Sequence, residues 1–316
     1  MTPADRPTFW FIGVTTAQSS IMQVFPEWAR HLRLGDVAMR GIDLVPHDRP
    51  ERYREVVDFL KSDPLSLGAL VTTHKLDLFA AARDMFDEID PHARLMAETS
   101  CLSKRDGRLI CHAKDPISSG LALDGFVPEG HFARTGAEVF SMGAGGSTIA
   151  LTWHLAQGAR GADRPSRIVV SNRSPARLEH LAAIHARLGH GIPVDCVLAP
   201  RPEDNDAVLA RLKPGALVIN ATGLGKDAPG SPLTSAAVFP ERAIVWDLNY
   251  RGDLVFLDQA RAQATARGLR IEDGWTYFIH GWTQVIAEVF DMPIPVRGPE
   301  FDEIAAIAAR VTGRSQ

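Results

Sequence analysis

The sequence predicts an α/β protein of two domains, one of them built on a doubly wound parallel sheet. Three observations carry this. The chain has 316 residues, long for one domain and enough for two separate cores. Short apolar runs alternate with stretches of helical apolar spacing, the pattern of strand–helix–strand units. The stretch Glu138 to Leu155, EVFSMGAGGSTIALTWHL, joins an apolar run ending at Met142 to a turn of Gly143, Ala144, Gly145 and Gly146. Helical spacing of Ile149, Ala150, Trp153 and Leu155 follows, opening near Ser147. Strand, glycine turn and helix form the Rossmann-type shape that binds a dinucleotide pyrophosphate. The glycines let the backbone approach the phosphates, and the first N–H groups of the helix point at the anion. Thr148 stands where the third glycine of the full pattern belongs, so context has to support the motif.

Taken in order, Trp10–Val14 reads as a buried strand ending in a polar turn, Thr15–Ser20. A helix follows with Met22, Phe25, Trp28, Ala29 and Leu32 on one face, closed by Gly35. Val37–Val45 reads as a strand, Arg52–Leu60 as a helix, Gly68–Thr72 as a strand, and Lys75 opens another helix. Thr99–Leu102 and Leu109–Cys111 flank Asp106 and Gly107, a hairpin signal. The hairpin leads to Asp115, Pro116 and a helix running to about Phe126. Val127–Gly130 reads as the domain linker. Strands at 138–142, 167–171, 195–198, 216–220 and 243–247 then alternate with helices at 147–157, 176–188 and 204–212. A helix at 254–267 and a strand at 269–272 complete the second sheet. Two amphipathic helices, about 275–290 and 299–312, form the tail, with Trp275, Tyr277, Phe278 and Trp282 expected mainly in a core.

Hydrophobic content of 45%, charged content of 23% and a formal net charge of −4 are those of an ordinary globular chain. They point away from nucleic acid and acidic membranes. No apolar run is long enough to span a bilayer and no secretory signal is visible, so a cytoplasmic monomer or homodimer acting on a small molecule is expected. Cys101, Cys111 and Cys196 form neither a disulfide framework nor a zinc spacing, and no metal is expected.

The second strand of the nucleotide domain ends in Asn172, Arg173 and Ser174, with Arg177 next on the helix. Such strand ends meet the adenosine ribose, where a basic residue accepts a 2′-phosphate. Arginine suits phosphate because its planar fork donates in pairs, so NADP is favoured over NAD. Further along, Asn220–Thr222 and Gly223 end a buried strand and can line the crevice near the nicotinamide. In the first domain, Thr72 and Lys75 sit between a strand and a helix, where the helix dipole disfavours a lysine. Asp115 opens a later helix, a common place for a capping carboxylate.

Together these stretches resemble the shikimate dehydrogenase family in order along most of the chain. The family's opening strand, glycine and serine-bearing turn match Gly13 to Ile21, including Ser19. Its valine–threonine strand and catalytic lysine match Val71, Thr72 and Lys75, its Asn-Thr segment falls at Ser100 and Cys101, and its catalytic aspartate at Asp115. The glycine turn, the clamp of Asn172, Arg173, Ser174 and Arg177, the Asn220–Thr222 loop, Asp247 to Tyr250, and Gly274 to His280 continue the series. The resemblance implies a substrate-binding and catalytic α/β domain at 1–126, an NADP domain at 127–274, and tail helices returning to the first domain. It also implies substrate contacts at Ser19, Thr72, Ser100, Tyr250 and Gln284. Cofactor contacts are implied at Gly143–Ser147, Asn172, Arg173, Arg177, Thr222, Gly223 and Gly274.

Several of the family's polar substrate anchors are replaced. They fall at Ile21, Leu70, Ser100 and Gly281, with Gln284 a turn beyond, and the Asn-Thr before the aspartate reads Ala113 and Lys114. Lost hydrogen-bond partners in a buried site cost about 1–3 kcal/mol each, so the pocket is expected to differ from one shaped for the shikimate polyol. Lys114 is expected to face water or to supply a new anionic anchor. Hydride exchange between NADPH and a small ring carbonyl is the expected activity. A turnover-free NADP sensor on the same fold is the rival reading, and one-carbon folate chemistry a third without a supporting feature.

Overall fold

The computed structural model describes residues 1–226 and 228–314. It divides into two compact units, Met1–Asp115 with Ile279–Gln316, and Pro116–Phe278. The first contains β1 (Thr8–Gly13), α1 (Ile21–His31), β2 (Ala38–Asp43), α2 (Pro50–Ser62), β3 (Ser66–Val71), α3 (Lys75–Ala82), β4 (Glu88–Ile89), α4 (Pro91–Met96), β5 (Cys101–Arg105) and β6 (Arg108–His112). Its sheet has the order β2-β1-β3-β5-β6-β4. Parallel pairing of β1 with β2 and β3 gives way to antiparallel pairing through the β5–β6 hairpin.

α1 buries Ile21, Val24, Phe25, Trp28 and Ala29. This face is rotated slightly from the one expected, with Met22 and Leu32 half-buried at its edge. Trp10, Ile12, Tyr53, Val57, Val71 and Phe79 fill the core between α2, α3 and the sheet. Cys101 and Cys111 are buried free thiols on neighbouring strands of the hairpin.

Helix α5 (Asp115–Phe126) carries the chain into the second unit, through α6 (His131–Thr135), β7 (Val139–Met142), α7 (Gly146–Ala156), β8 (Ile168–Asn172), α8 (Pro175–Leu188), β9 (Val194–Leu198), α9 (Pro202–Leu209), β10 (Leu217–Asn220), β11 (Ile244–Asp247), α10 (Val255–Arg261), α11 (Ala264–Arg267) and β12 (Arg270–Glu272). All neighbours in this sheet are parallel, in the order β12-β11-β10-β7-β8-β9. Numbered within the unit, that is the doubly wound order 3-2-1-4-5-6, whose direction reverses between β7 and β10. Ligands of such sheets bind at the carboxyl ends of the strands at that reversal.

α12 (Trp275–Val289) leads back to the first unit, where α13 (Pro299–Thr312) ends the described chain. There Trp282 packs edge-on against Phe9 and Phe11, and the Trp28 indole N–H donates to the Ile304 carbonyl at 2.9 Å. No helix among the described residues is long and apolar enough to cross a membrane.

Three local features differ from the sequence reading. Residues 127–130 are anchored within the second unit and do not divide it from the first. The Asp163 carboxylate accepts N–H bonds from Gly130 and Phe132, and the His131 Nε2–H donates to the Gly215 carbonyl. The single helix expected over 254–267 breaks between α10 and α11. Gln263 at the break accepts from the Phe239 N–H and donates to the Ala237 carbonyl. β4, α4 and α6 lie where no element was expected, being too short to show a period.

Candidate active site

In the first unit, β3 ends at Val71 and the chain turns through Thr72, Thr73 and His74 into α3. Thr73 holds φ +52°, a left-handed conformation uncommon for a residue with a Cβ. The His74 ring beneath it is buried and shares a hydrogen bond with the Tyr53 hydroxyl at 3.1 Å, which fastens the turn. Lys75 is therefore the first residue of α3, where the dipole opposes its charge. Asp115 begins α5, where the dipole favours a carboxylate. The two are hydrogen-bonded and ion-paired, with side chains only 16% and 9% exposed. A surface pair of this kind contributes little, but a pair so removed from water is costly to break from one side.

A third acid lies beside this pair. Glu98 is 1% exposed, and neither carboxyl oxygen has a hydrogen-bond partner among the described residues. Burial, and then the Asp115 charge, push its carboxyl up to about 8. Sequence reading missed it. The one signal is a lone charge inside the otherwise weakly polar run Leu95–Leu102.

Of the residues expected around substrate in this unit, Ser19, Thr72 and Gln284 are half-buried. Their side chains make no hydrogen bond among the described residues. Ser100 is buried, and its Oγ accepts the Lys114 N–H at 2.7 Å. Ile21 and Leu70 are core residues, so they line no open surface. Lys114 neither faces water nor stands free as an anchor. Its ammonium is paired with Glu288, which also accepts from Arg105 at 2.9 Å, so α12 is clamped to the hairpin. Those partners hold the Glu288 carboxyl below its usual range.

In the second unit the glycine turn lies at the sheet reversal. Gly143 follows β7 with φ +109°, and a Cβ there would lie 2.6 Å from the Ala221 carbonyl oxygen at the end of β10. Only glycine fits that approach. Ala144 is buried beneath the turn. Gly145 caps α7 with no side-chain bond, and a Cβ there would meet nothing within 4 Å. Gly146 and Ser147 open the helix, so the first-turn N–H groups are left for an anion. The Ser147 Oγ accepts from the Tyr277 hydroxyl at 3.2 Å.

At the end of β8, the Asn172 side chain accepts the Ser174 N–H at 2.9 Å and shapes the turn. Arg173 is exposed and Arg177 half-buried, and neither guanidinium pairs with a carboxylate among the described residues. At the end of β10, Asn220 donates to Asp247 and accepts both the N–H and the hydroxyl of Thr222. Asn249 donates to the Thr222 carbonyl at 3.1 Å. Burial pushes the Asp247 carboxyl up to about 6. The loop carrying Thr222 and Gly223 is thus fixed by a buried polar network. Gly274 packs against the Leu248 carbonyl, where a Cβ would collide. Tyr250 rests on Trp275 and Phe278.

No family model matches the chain. A shikimate dehydrogenase (NADP+) of Methylocella silvestris is 30% identical over 287 residues, covering 91% of each chain. The chain belongs to the shikimate dehydrogenase family. Solved structures of shikimate dehydrogenases share the fold. That from Aquifex aeolicus has a TM-score of 0.71 at 17% identity over 99% of both chains. That from Thermus thermophilus, in complex with NADP(H) and shikimate, has a TM-score of 0.68 at 22% identity over 96% of this chain and 99% of its own.

Proposed function

We propose that this family member is an NADP-dependent oxidoreductase. It would exchange a hydride reversibly between NADPH and the carbonyl, or secondary alcohol, of a small hydroxylated ring acid such as 3-dehydroshikimate or shikimate. The observation that carries the reading is the Lys75–Asp115 ion pair, held nearly out of water at two helix starts. A relative named shikimate dehydrogenase (NADP+), aligned over nine-tenths of the chain, supports it.

The residues of the second unit fit the cofactor. Gly143, Ala144, Gly145, Gly146 and Ser147 offer backbone N–H groups and close approach to a pyrophosphate. Arg173 and Arg177, without carboxylate partners among the described residues, suit a 2′-phosphate, with Asn172 shaping their turn. Thr222, Gly223 and Gly274 belong to the loops of the nicotinamide half. When bound, NADPH supplies the hydride.

The chain's own work is binding and proton handling. Lys75 gives its ammonium proton to the alkoxide oxygen that forms as a carbonyl is reduced, and its neutral amine takes the hydroxyl proton in reverse. Asp115 holds the ammonium in place. Among the described residues, Ser19, Thr72 and Gln284 have uncommitted polar groups for substrate oxygens, and Ser100 keeps its hydroxyl hydrogen to donate. An intact Lys–Asp pair argues against a sensor without turnover. With core residues at Ile21 and Leu70, a shikimate-related acid with fewer hydroxyl contacts is a better candidate than the full polyol.

The test is NADP reduction, followed by absorbance, across a panel of hydroxylated ring acids that includes shikimate. Turnover of at least one with NADP is expected. Tight NADP binding with no turnover of any compound would favour the sensor instead.

A further inference from the structure

We propose that Glu98 is a third ionisable group of the Lys75–Asp115 pair, a positioning residue whose charge sets how tightly Lys75 holds its proton. The proposal deepens the oxidoreductase reading and rests on it. Its basis is where the chain places residues 98–100. The Thr99 N–H donates to the Lys75 carbonyl at 3.1 Å. The Ser100 Oγ accepts from the N–H of Lys114, the residue before Asp115. One short segment is therefore fastened to both halves of the pair, and Glu98 is its first residue. Ala97 just ahead takes a left-handed turn with φ +51°, which ends α4 and sends the Glu98 side chain into the interior.

An acid buried without a hydrogen-bond partner is expensive to keep unless it serves something. Placement on the far side of the domain would leave Glu98 unrelated to the pair. Instead, Asp115 and Lys75 are the charges it feels most, with Asp90 behind them. Asp90 is itself engaged by His112 and by the Ala93 N–H. Among these groups Lys75 is the one cation whose proton the reaction moves.

The consequence follows from charge counting. While Glu98 is neutral, Lys75 faces the Asp115 carboxylate. Once Glu98 ionises, a second negative charge stands nearby, and the ammonium becomes a weaker acid. The Glu98 carboxyl, pushed up to about 8, makes that change just above neutrality. Alcohol oxidation needs Lys75 as the free amine, so an ionised Glu98 delays that step to higher pH. Carbonyl reduction needs the ammonium proton to leave, so the same ionisation slows it. Both Glu98 carboxyl oxygens are buried, out of reach of a bound molecule, so KM is not the quantity it moves.

The test is the pH profile of kcat in both directions, from pH 6 to 10, for the parent, Glu98→Gln and Glu98→Asp. Glutamine keeps the shape without the charge. It is expected to shift the rising limb of the oxidation profile to lower pH by about one unit, the size of one nearby charge in a partly polar interior. KM should stay within twofold, and Glu98→Asp should restore the parent profile. Coincident profiles for the parent and Glu98→Gln would overturn the proposal. An independent readout needs no turnover. The infrared C=O band of a protonated carboxylic acid should disappear on raising pH in the parent, be missing in Glu98→Gln, and titrate at higher pH in Lys75→Ala. An unshifted band in Lys75→Ala would refute the coupling. If no compound turns over while that band does shift, the oxidoreductase reading fails and the coupling stands.

Discussion

Gly143 and Gly145 are two residues apart, and substitution by alanine is expected to harm them in opposite ways. At Gly143 the backbone holds φ +109°, and the added Cβ would lie 2.6 Å from the Ala221 oxygen and 2.9 Å from its carbonyl carbon. Both are backbone atoms, so no side chain can swing aside. Ala221 cannot yield easily either, because Thr222 beyond it is tied to Asn220, and Asn220 to Asp247. Backbone strain of about 1–3 kcal/mol and a similar cost for overpacking give about 2–6 kcal/mol of lost stability in the second unit. At Gly145, φ is −89° and the Cβ meets nothing within 4 Å. Gly145→Ala should therefore fold within about 0.5 kcal/mol of the parent. It should nonetheless weaken NADP by tenfold or more, because the methyl stands where the phosphates approach the start of α7. Denaturant unfolding and NADP titration of both variants give the comparison. A stable Gly143→Ala protein would contradict the packing argument. A Gly145→Ala protein that binds NADP like the parent would contradict the phosphate assignment.

Arg177→Ala should weaken NADP by about ten- to a hundredfold while leaving NAD unchanged, since charge-assisted bonds to the 2′-phosphate are lost. Equal losses for both nucleotides in titration calorimetry would remove the arginine clamp. Acid should destabilise the second unit through His185. The Ile192 N–H donates to His190 Nδ1, so the His190 Nε2–H donates to His185 Nδ1, and the His185 Nε2–H is left to donate to Thr152. That chain needs both rings neutral, and burial lowers His185 to about 4. A histidine with a folded-state value below its unfolded one favours folding above the unfolded pKa. The stability is therefore complete above about 6.5 and is lost as pH falls towards 4, at a cost approaching 3 kcal/mol. Urea unfolding at pH 7.5 and pH 5 measures this, and equal midpoints would refute it.

The nucleotide unit was legible because its signals are local. A parallel strand, a glycine turn and a helix start sit within Glu138–Leu155, and each β-strand of that sheet lies within two residues of its apolar run. The Lys75–Asp115 pairing was legible only through family resemblance, since the two lie 40 positions apart. Where the sequence misled, tertiary contacts decided. Lys114 reads as a surface lysine until Glu288, 174 positions away, folds against it. The break at Gln263 depends on bonds to Ala237 and Phe239. Glu98 was missed because nothing in its neighbours reveals that the turn at Ala97 sends it inward. Ile21 and Leu70 stand where the family has polar anchors, but the fold uses them as core.

In the proposed mechanism Lys75 moves the proton while the second unit holds NADP. Its most direct test is single-turnover NADPH oxidation by Lys75→Ala, with a carbonyl compound the parent reduces, alongside NADP binding by the same variant. Loss of the rate by about 10²–10⁴-fold with NADP affinity unchanged is the expected result. Parent-like turnover in Lys75→Ala would contradict the account.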